Sequence, residues 1–199
     1  MPDNQTKTNR RQQILESLVH MLEVNPGSRI TTAALAKEVG VSEAALYRHF
    51  PSKFKMFEAL IDYVEETIFS RVSTILKEHP NAKNRINHIL TLLLTFTGRN
   101  PGLARILTGD ALAGENDRLH ARVAQLFDRL ETQLKQILRD AELTEGLRPI
   151  TTTGVAANLL MAVIDGRISQ FVRSNFKKLP MDNWPEQWPI IMAGFFRSV

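Results

Sequence analysis

The chain contains no cysteine among its 199 residues. Disulfide scaffolds, thiolate zinc sites, iron–sulfur clusters and cysteine nucleophiles are therefore excluded, because each of them depends on cysteine sulfur. Ten glycines and nine prolines are too few for a collagen-like or low-complexity fibre. With 43% hydrophobic and 23% charged residues, the composition is that of a globular protein of one or two domains. These features are typical of a cytosolic protein.

Long apolar runs are also absent. The first eight residues are polar, and the most apolar window, residues 89–96, is short and interrupted by threonine. The sequence therefore predicts neither a secretory signal nor a membrane span. The net charge is small, at 25 basic minus 21 acidic residues, or +4. This excess permits nucleic-acid binding but does not establish it.

Catalytic patterns are missing as well. The five histidines, at positions 20, 49, 79, 88 and 120, include no pair at the i,i+4 spacing of a zinc-binding helix. There is no nucleophile elbow, phosphate-binding glycine loop or dinucleotide-binding glycine pattern. A cation could bind Asp110 together with Glu115 or Asp117, but an ordinary polar loop is the favoured interpretation. The sequence predicts no enzyme, no cofactor and no metal.

Apolar residues recur at three-to-four spacing along almost the whole chain, with no convincing period of two. This pattern predicts an all-α protein of about nine helices, with a break at residues 100–102, a helix over about 152–175 and a last helix over about 184–197. The long helix over about 116–141 could form a coiled coil. An apolar stripe facing the core of a helical bundle is the favoured interpretation.

Residues 31–50 predict a helix-turn-helix, with helices over 32–39 and 43–49. Thr31 or Thr32 can cap the first helix and Ser42 the second. Gly40 can adopt the positive φ that ends a helix in a tight turn. Leu46 and Phe50 would return the second helix to the core, which leaves a polar face suited to the major groove. A plain helical hairpin is the alternative.

The charges around this segment support DNA binding by their placement. Residues 1–60 hold eight basic and six acidic side chains, a net charge of only +2. We predict that Lys7, Arg10 and Arg11 form a basic arm ahead of the first helix of the chain. Lys53 and Lys55 follow the second helix of the motif, and all five side chains could neutralise phosphates. The predicted DNA-contacting residues are Lys7, Arg10, Arg11, Thr31, Thr32, Ser42, Glu43, Ala44, Tyr47, Arg48, His49 and Lys53, with Lys55 as a further phosphate contact.

Residues 41–53, VSEAALYRHFPSK, resemble the signature of the TetR family of DNA-binding regulators. The resemblance implies an all-α, TetR-like fold. An N-terminal three-helix DNA-binding domain over residues 1–52 would precede a helical bundle over residues 53–199, which serves regulation, partner binding and dimerisation.

The resemblance extends beyond the DNA-binding segment, to RNPGL at 99–103, RILTG at 105–109 and FVRS at 171–174. These motifs are similar to those of one group within the family, whose members are dimers on palindromic chromosomal DNA. When bound to DNA, they antagonise assembly of the tubulin-like division protein FtsZ, so that septum formation over the nucleoid is blocked. The resemblance implies the same activity and the same cytoplasmic, nucleoid-associated location here, possible higher-order assembly on DNA, and no small-molecule inducer.

An FtsZ site would need an exposed groove with apolar and basic contacts, because the FtsZ tail is a short segment with apolar and charged residues. The fourth and fifth predicted helices offer such residues, and on spacing alone the alternative of a core leucine with solubilising arginines is equally good. The resemblance favours a partner site. The predicted residues are Tyr63, Arg71, Leu92, Thr95, Arg99 and Asn100.

Small and aromatic residues in the last two helices predict a dimer interface. They are Val155, Leu159, Ala162, Val163 and Gly166, with the region of Trp184 and Trp188. The alternative is that they cover the core of a monomer. A second functional class also remains, a ligand-responsive repressor with a cavity lined by the fifth, seventh and eighth predicted helices. The large leucines of these helices could instead fill that space; they are Leu93, Leu126, Leu130, Leu159 and Leu160.

Overall fold

The computed structural model describes the backbone of residues 3–198 and the side chains of residues 10–197. Within that range the chain forms nine α-helices, one 3₁₀ helix (Asp110–Leu112) and two short strands. The helices are α1 Asp3–Val24, α2 Thr32–Val39, α3 Glu43–His49, α4 Lys53–Glu78, α5 Ala82–Arg99, α6 Pro101–Leu107, α7 Asp117–Thr144, α8 Thr153–Arg173 and α9 Trp184–Met192. The strands are β1 Leu147–Pro149 and β2 Phe196–Ser198. The all-α prediction is confirmed.

Two compact units divide the chain. The first comprises Met1–Val64 and Asn100–Val123, and the second comprises Glu65–Arg99 and Ala124–Val199. Long helices α4 and α7 each contribute residues to both units. The predicted boundary at residue 52 stays a prediction.

In the first unit, α1 packs against α2, α3 and α6. Gly102 of α6 allows a close approach, because a Cβ built there would lie 2.3 Å from the carbonyl oxygen of Val19 in α1. Arg105, on the same short helix, is only 2% exposed. Its Nη1 donates to the carbonyls of Leu22 at 2.7 Å and Asn25 at 3.1 Å, which lie at the end of α1. A buried cation thus holds the C-terminal carbonyls of α1 against α6.

One sequence prediction about α1 is wrong. Lys7, Arg10 and Arg11 do not form an arm ahead of the first helix, because α1 already begins at Asp3. The segment after Pro2 contains no glycine or proline and is rich in lysine, arginine and glutamine, which are good helix formers. These basic residues are therefore held on a helix instead of a free arm.

In the second unit, α5 packs against α8. Trp184 is buried, and its indole N–H donates to Thr91 Oγ1 at 3.1 Å. Trp184 therefore packs inside this unit, whereas Trp188 of the same predicted interface region is half-buried, and a dimer role for the region stays a prediction. Strands β1 and β2 pair antiparallel, with Arg148 opposite Arg197. The predicted helix to residue 197 thus stops at Met192, because the chain turns at Ala193 and Gly194 and pairs with β1.

One face of α8 is buried and another is exposed. Ile164, Ile168 and Phe171 belong to the core, whereas Val155 and Leu159 are 58% and 53% exposed. Leu159 therefore does not help to fill the space between α5, α7 and α8, whereas the other four predicted leucines, Leu93, Leu126, Leu130 and Leu160, are buried. Among the described residues, α8 is long and apolar enough to cross a membrane by composition, with a mean hydropathy of 1.3. Core helices commonly share that composition.

Candidate nucleic-acid interface

The segment between α1 and α4 forms the predicted helix-turn-helix, with both helices at the predicted residues. Thr31 caps α2 by accepting a hydrogen bond from the N–H of Ala34 at 3.1 Å. Gly40 ends α2 with φ 75°, a conformation that other residues adopt only under strain. Ser42 then caps α3 by accepting from the N–H of Ala45 at 3.2 Å. Local capping chemistry thus fixes where each helix begins and ends.

Helix α3 is anchored on one side and open on the other. Leu46 and the C-terminal cap Phe50 are buried, at 0% and 1% exposure. The opposite side exposes Tyr47 (41%) and Arg48. Other exposed residues at its start are Ser42, Glu43 and Ala44. Small residues at the helix start and long polar ones after them are suited to a recognition helix in the major groove.

Two of the predicted DNA-contacting residues at the start of the motif also bind each other. Thr32 Oγ1 donates to Glu43 Oε2 at 2.8 Å, which joins the first turn of α2 to the first turn of α3. This exposed contact links the two helices of the motif across the turn, so Thr32 and Glu43 have a partner within the motif itself.

Helix α1 is tied to the end of α3 by Arg11. Its Nη1 donates to the carbonyl oxygen of His49 at 2.6 Å, and its guanidinium lies 4.1 Å from the centroid of the Phe50 ring. Arg11 thus compensates the negative end of α3. Arg10 donates to Gln13 on the same helix. The side chain of Lys7 lies outside the described residues.

The two lysines after α3 differ in their surroundings. The Nζ of Lys53 pairs with Glu115 Oε1, and the lysine side chain is only 17% exposed. Glu115 also lies 3.6 Å from the Nε of Arg29. Lys55 is more open, at 50% exposure, and pairs with Glu58. Since Glu115 already compensates the charge of Lys53, Lys55 is the more available phosphate contact.

The structure separates the predicted partner residues into two groups. Tyr63 and Asn100 lie in the first unit, where they line one surface pocket of about 630 Å³. The other four lie in the second unit, with Arg71 and Arg99 exposed and Leu92 and Thr95 half-buried. Their role in partner binding stays a prediction.

The sequence analysis missed the largest wall of that pocket, which α1 provides. We call this pocket the α1 groove; it is lined by Gln12, Leu15, Glu16, Val19, His20, Glu23, Leu60, Tyr63, Asn100 and Leu103. The available signal was a second apolar stripe on α1, because Leu15 and Val19 each follow a core residue, Ile14 and Leu18. Periodicity alone assigns such adjacent apolar residues to one broad core face.

The described residues hold no group of three or more histidine, aspartate or glutamate side chains arranged for a metal ion. Of the three carboxylates considered for a cation, Asp110 pairs with Arg105 and Glu115 pairs with Lys53. Asp110 begins the 3₁₀ helix and Asp117 begins α7, so these two residues lie on helices.

Two family descriptions match the chain. Residues 14–60 match the bacterial regulatory proteins of the tetR family, and residues 80–195 match the tetracyclin repressor-like C-terminal domain of the SlmA-like type. The first match contains the helix-turn-helix, and the second covers more than half of the chain.

Relatives share most of the sequence. The nucleoid occlusion factor SlmA of Marinomonas sp. (strain MWYL1) is 58% identical over 185 residues, which cover 93% of this chain and 94% of that protein. The protein of the same name from Shewanella woodyi is 56% identical over 192 residues, or 96% of this chain and 98% of the relative. Identity at this level extends over both compact units.

Solved structures share the fold at much lower identity. A TetR transcription regulator from Haloarcula marismortui superposes with a TM-score of 0.78 at 18% identity, covering 96% of this chain and 100% of the other. The fatty acid degradation regulator FadR from Bacillus halodurans gives 0.79 at 14% identity, with 93% and 95% covered. At such identity the likeness is one of fold.

Proposed function

Since this chain belongs to the SlmA group of the TetR family of DNA-binding regulators, we propose that it is a nucleoid occlusion factor. It binds palindromic chromosomal sites as a dimer and, when bound to DNA, antagonises FtsZ assembly, so that no septum forms over the nucleoid. The observation that carries the proposal is 58% identity over 93% of the chain to a protein of that name. Such a protein is cytoplasmic and associated with the nucleoid.

DNA recognition is assigned to α3. Its exposed Tyr47 and Arg48 reach bases or phosphates, while Ser42 and Ala44 let the start of the helix approach the groove closely. Arg11 holds the C-terminal end of α3 through the His49 carbonyl. The rigid caps reduce the entropy lost on binding, because the helix is already ordered.

Dimerisation is assigned to the exposed apolar face of α8. Val155 and Leu159 are more than half exposed, and Ala162 and Gly166 continue the same face at helical spacing. An exposed apolar stripe of this kind is stable in water when a second copy covers it. A twofold axis would place two α3 helices in successive major grooves, about 34–36 Å apart, so the DNA site is expected to be near-palindromic.

The test is sedimentation of FtsZ polymers with GTP in the presence of this protein, without DNA, with a palindromic DNA site and with the same bases scrambled. The proposal predicts a loss of polymer that depends on the palindrome. A light-scattering mass of one chain at micromolar concentration would contradict the dimer. Unchanged polymer despite specific DNA binding would instead indicate a ligand-responsive repressor.

Paired variants separate the two activities. Tyr47→Ala is expected to weaken DNA binding and leave FtsZ binding without DNA unchanged. Tyr63→Ala combined with Arg99→Asp is expected to abolish FtsZ binding and leave DNA binding intact, because both side chains are exposed and lie outside the helix-turn-helix. Equal loss of DNA binding in the second variant would show that the partner assignment is wrong.

A further inference from the structure

Glu115 holds two basic side chains that come from separate segments of the first unit. It lies between the 3₁₀ helix and α7, and its Oε1 accepts a hydrogen bond from the Nζ of Lys53 at 2.5 Å. The Nε of Arg29 lies 3.6 Å from the same oxygen, and Arg29 Nη2 donates to the carbonyl of Gly114 at 3.3 Å. One carboxylate thus serves two cations, which leaves the cluster with positive charge in excess.

The position of this carboxylate is set by the backbone of its loop. The N–H of Glu115 donates to the carbonyl of Leu112 at 2.9 Å, and Leu112 is fully buried. Gly114 has φ 73°, which turns the chain between these two residues. The side chain of Glu115 is only 10% exposed, and that of Lys53 is 17% exposed. Partial burial reduces screening by solvent, so this ion pair is stronger than an ordinary surface pair.

Both cations flank the helix-turn-helix. Arg29 lies shortly before Thr31, the N-terminal cap of α2, and Lys53 is the first residue of α4, which follows α3. Lysine and arginine at the borders of such a motif commonly contact phosphates, and these contacts position the motif without reading bases. The side chain of Arg29 is 68% exposed, so it has room to turn toward a phosphate. Arg29 was not among the DNA-contacting residues predicted from the sequence.

We propose that Glu115 limits DNA affinity by competing with DNA phosphates for Lys53 and Arg29. Carboxylate and phosphate oxygens are both anionic hydrogen-bond acceptors and favour the same donors. A phosphate that approaches Lys53 meets a cation whose charge is already compensated, and it is repelled by the carboxylate. Glu115 therefore weakens binding to every DNA sequence alike, because phosphate contacts are independent of sequence. The inference rests on the proposed function in that the ligand is double-stranded DNA.

The test measures binding of the full chain to a labelled palindromic duplex, selected with the native chain from a random pool, and to the same bases scrambled. Glu115→Gln keeps the volume of the side chain and removes its charge. At about 50 mM salt this variant is expected to bind both duplexes at least about tenfold more tightly than the native chain. The slope of log K against log salt is expected to be steeper by about 1.8, because each protomer of a dimer gains one phosphate contact. A merely structural role of Glu115 would not steepen this slope.

Asp117→Asn is the matched control, because it removes the same charge from an exposed residue close to Glu115 in sequence. It is expected to change affinity less than about twofold, since the charge of an exposed side chain is screened. In a chain that also carries Lys53→Gln and Arg29→Gln, Glu115→Gln is expected to give no gain, because no cation is released. Glu115→Asp is a second variant in case glutamine impairs folding. It withdraws the carboxylate from Lys53 by one methylene and is expected to give a smaller gain in affinity.

The outcomes separate this inference from the proposed function. If Glu115→Gln has the affinity and salt slope of the native chain on both duplexes, the inference is overturned and the proposed function stands. An equal gain in Asp117→Asn would overturn it as an effect of net charge, and a gain that persists without Lys53 and Arg29 would overturn the assignment of these cations. If the native chain prefers no palindrome, the proposed function fails, whereas a gain of Glu115→Gln on the scrambled duplex still supports the competition.

Discussion

Replacing the buried Arg105 by methionine is expected to destabilise the protein by about 3 kcal/mol. The guanidinium is 2% exposed and donates to two carbonyls at the end of α1, while its Nε pairs with Asp110. Methionine keeps the apolar volume of the arginine stem, so little cavity is created. The decrease in the free energy of unfolding therefore measures mainly the hydrogen bonds that Arg105 donates to the end of α1.

The magnitude follows from the two backbone contacts. A hydrogen bond from a charged donor contributes about 1.5–3 kcal/mol, so two of them contribute about 3–6 kcal/mol. Asn25 is exposed, and its carbonyl can bind water once the guanidinium is gone. Because water replaces one of the two lost hydrogen bonds, the expected loss of stability lies at the lower end of this range, at about 3 kcal/mol.

The assay is thermal unfolding followed by circular dichroism at a fixed protomer concentration, since dimerisation makes the midpoint concentration-dependent. For a chain of this size, a loss of about 3 kcal/mol lowers Tm by about 6–12 °C. Asp110→Asn is the control; its side chain is 42% exposed, so its loss is expected to cost less than about 1 kcal/mol. A Tm for Arg105→Met within about 2 °C of the native chain would refute the reasoning.

Two further predictions concern packing and pH. Gly102→Ala is expected to cost about 1–3 kcal/mol in urea unfolding, because the new Cβ would lie 2.3 Å from the Val19 carbonyl oxygen and α6 would have to move. His88 stacks on His79 with ring centroids 3.8 Å apart, and desolvation, followed by the charge of His79, lowers the pKa of His88. As pH falls below the ordinary value of 6.5, the unfolded chain therefore binds a proton at His88 more readily than the folded chain, and stability falls. His88→Gln is expected to flatten that part of the pH profile of stability.

Each of these predictions has a matched control. Gly154→Ala is the control for Gly102→Ala, because the atom that a Cβ at position 154 would meet is the Cε of Lys135, at an ordinary contact distance of 3.9 Å. This variant is expected to leave the free energy of unfolding unchanged or to raise it slightly. If both alanine variants behave alike, close packing at Gly102 does not limit stability. His20→Gln is the control for His88→Gln, and an equal change in the two pH profiles would contradict a specific effect of the stacked pair.

The DNA-binding segment was predictable because its determinants are local. The cap residues Thr31 and Ser42 and the turn residue Gly40 act on backbone groups within a few positions of themselves. The periodic burial of Leu46 and Phe50 likewise follows from helical geometry. Neighbouring contacts of this kind leave a direct pattern in the sequence, so both helix boundaries were predicted correctly.

For α1, local patterns in the sequence were not sufficient to predict which faces are buried or where the helix begins. Its apolar residues are evident in the sequence, but the division into a core stripe and a groove floor depends on where α4 and α6 lie. The start of α1 at Asp3 was also missed, because a polar, charged beginning is compatible with both an arm and a helix. The engagement of Arg11 with the His49 carbonyl depends on the packing of helices far apart in sequence.

The sequence by itself determined the all-α fold, the helix-turn-helix and the exposed polar face of α3, since short-range periodicity and capping specify them. Tertiary structure alone decided that Arg105 is buried, that Trp184 packs against Thr91, and that β1 pairs with β2. It also decided that Glu16 and Glu23 flank an apolar groove. The physical reason is that the burial and the electrostatic environment of a side chain depend on contacts between segments distant in sequence. A local pattern of residues does not specify these contacts.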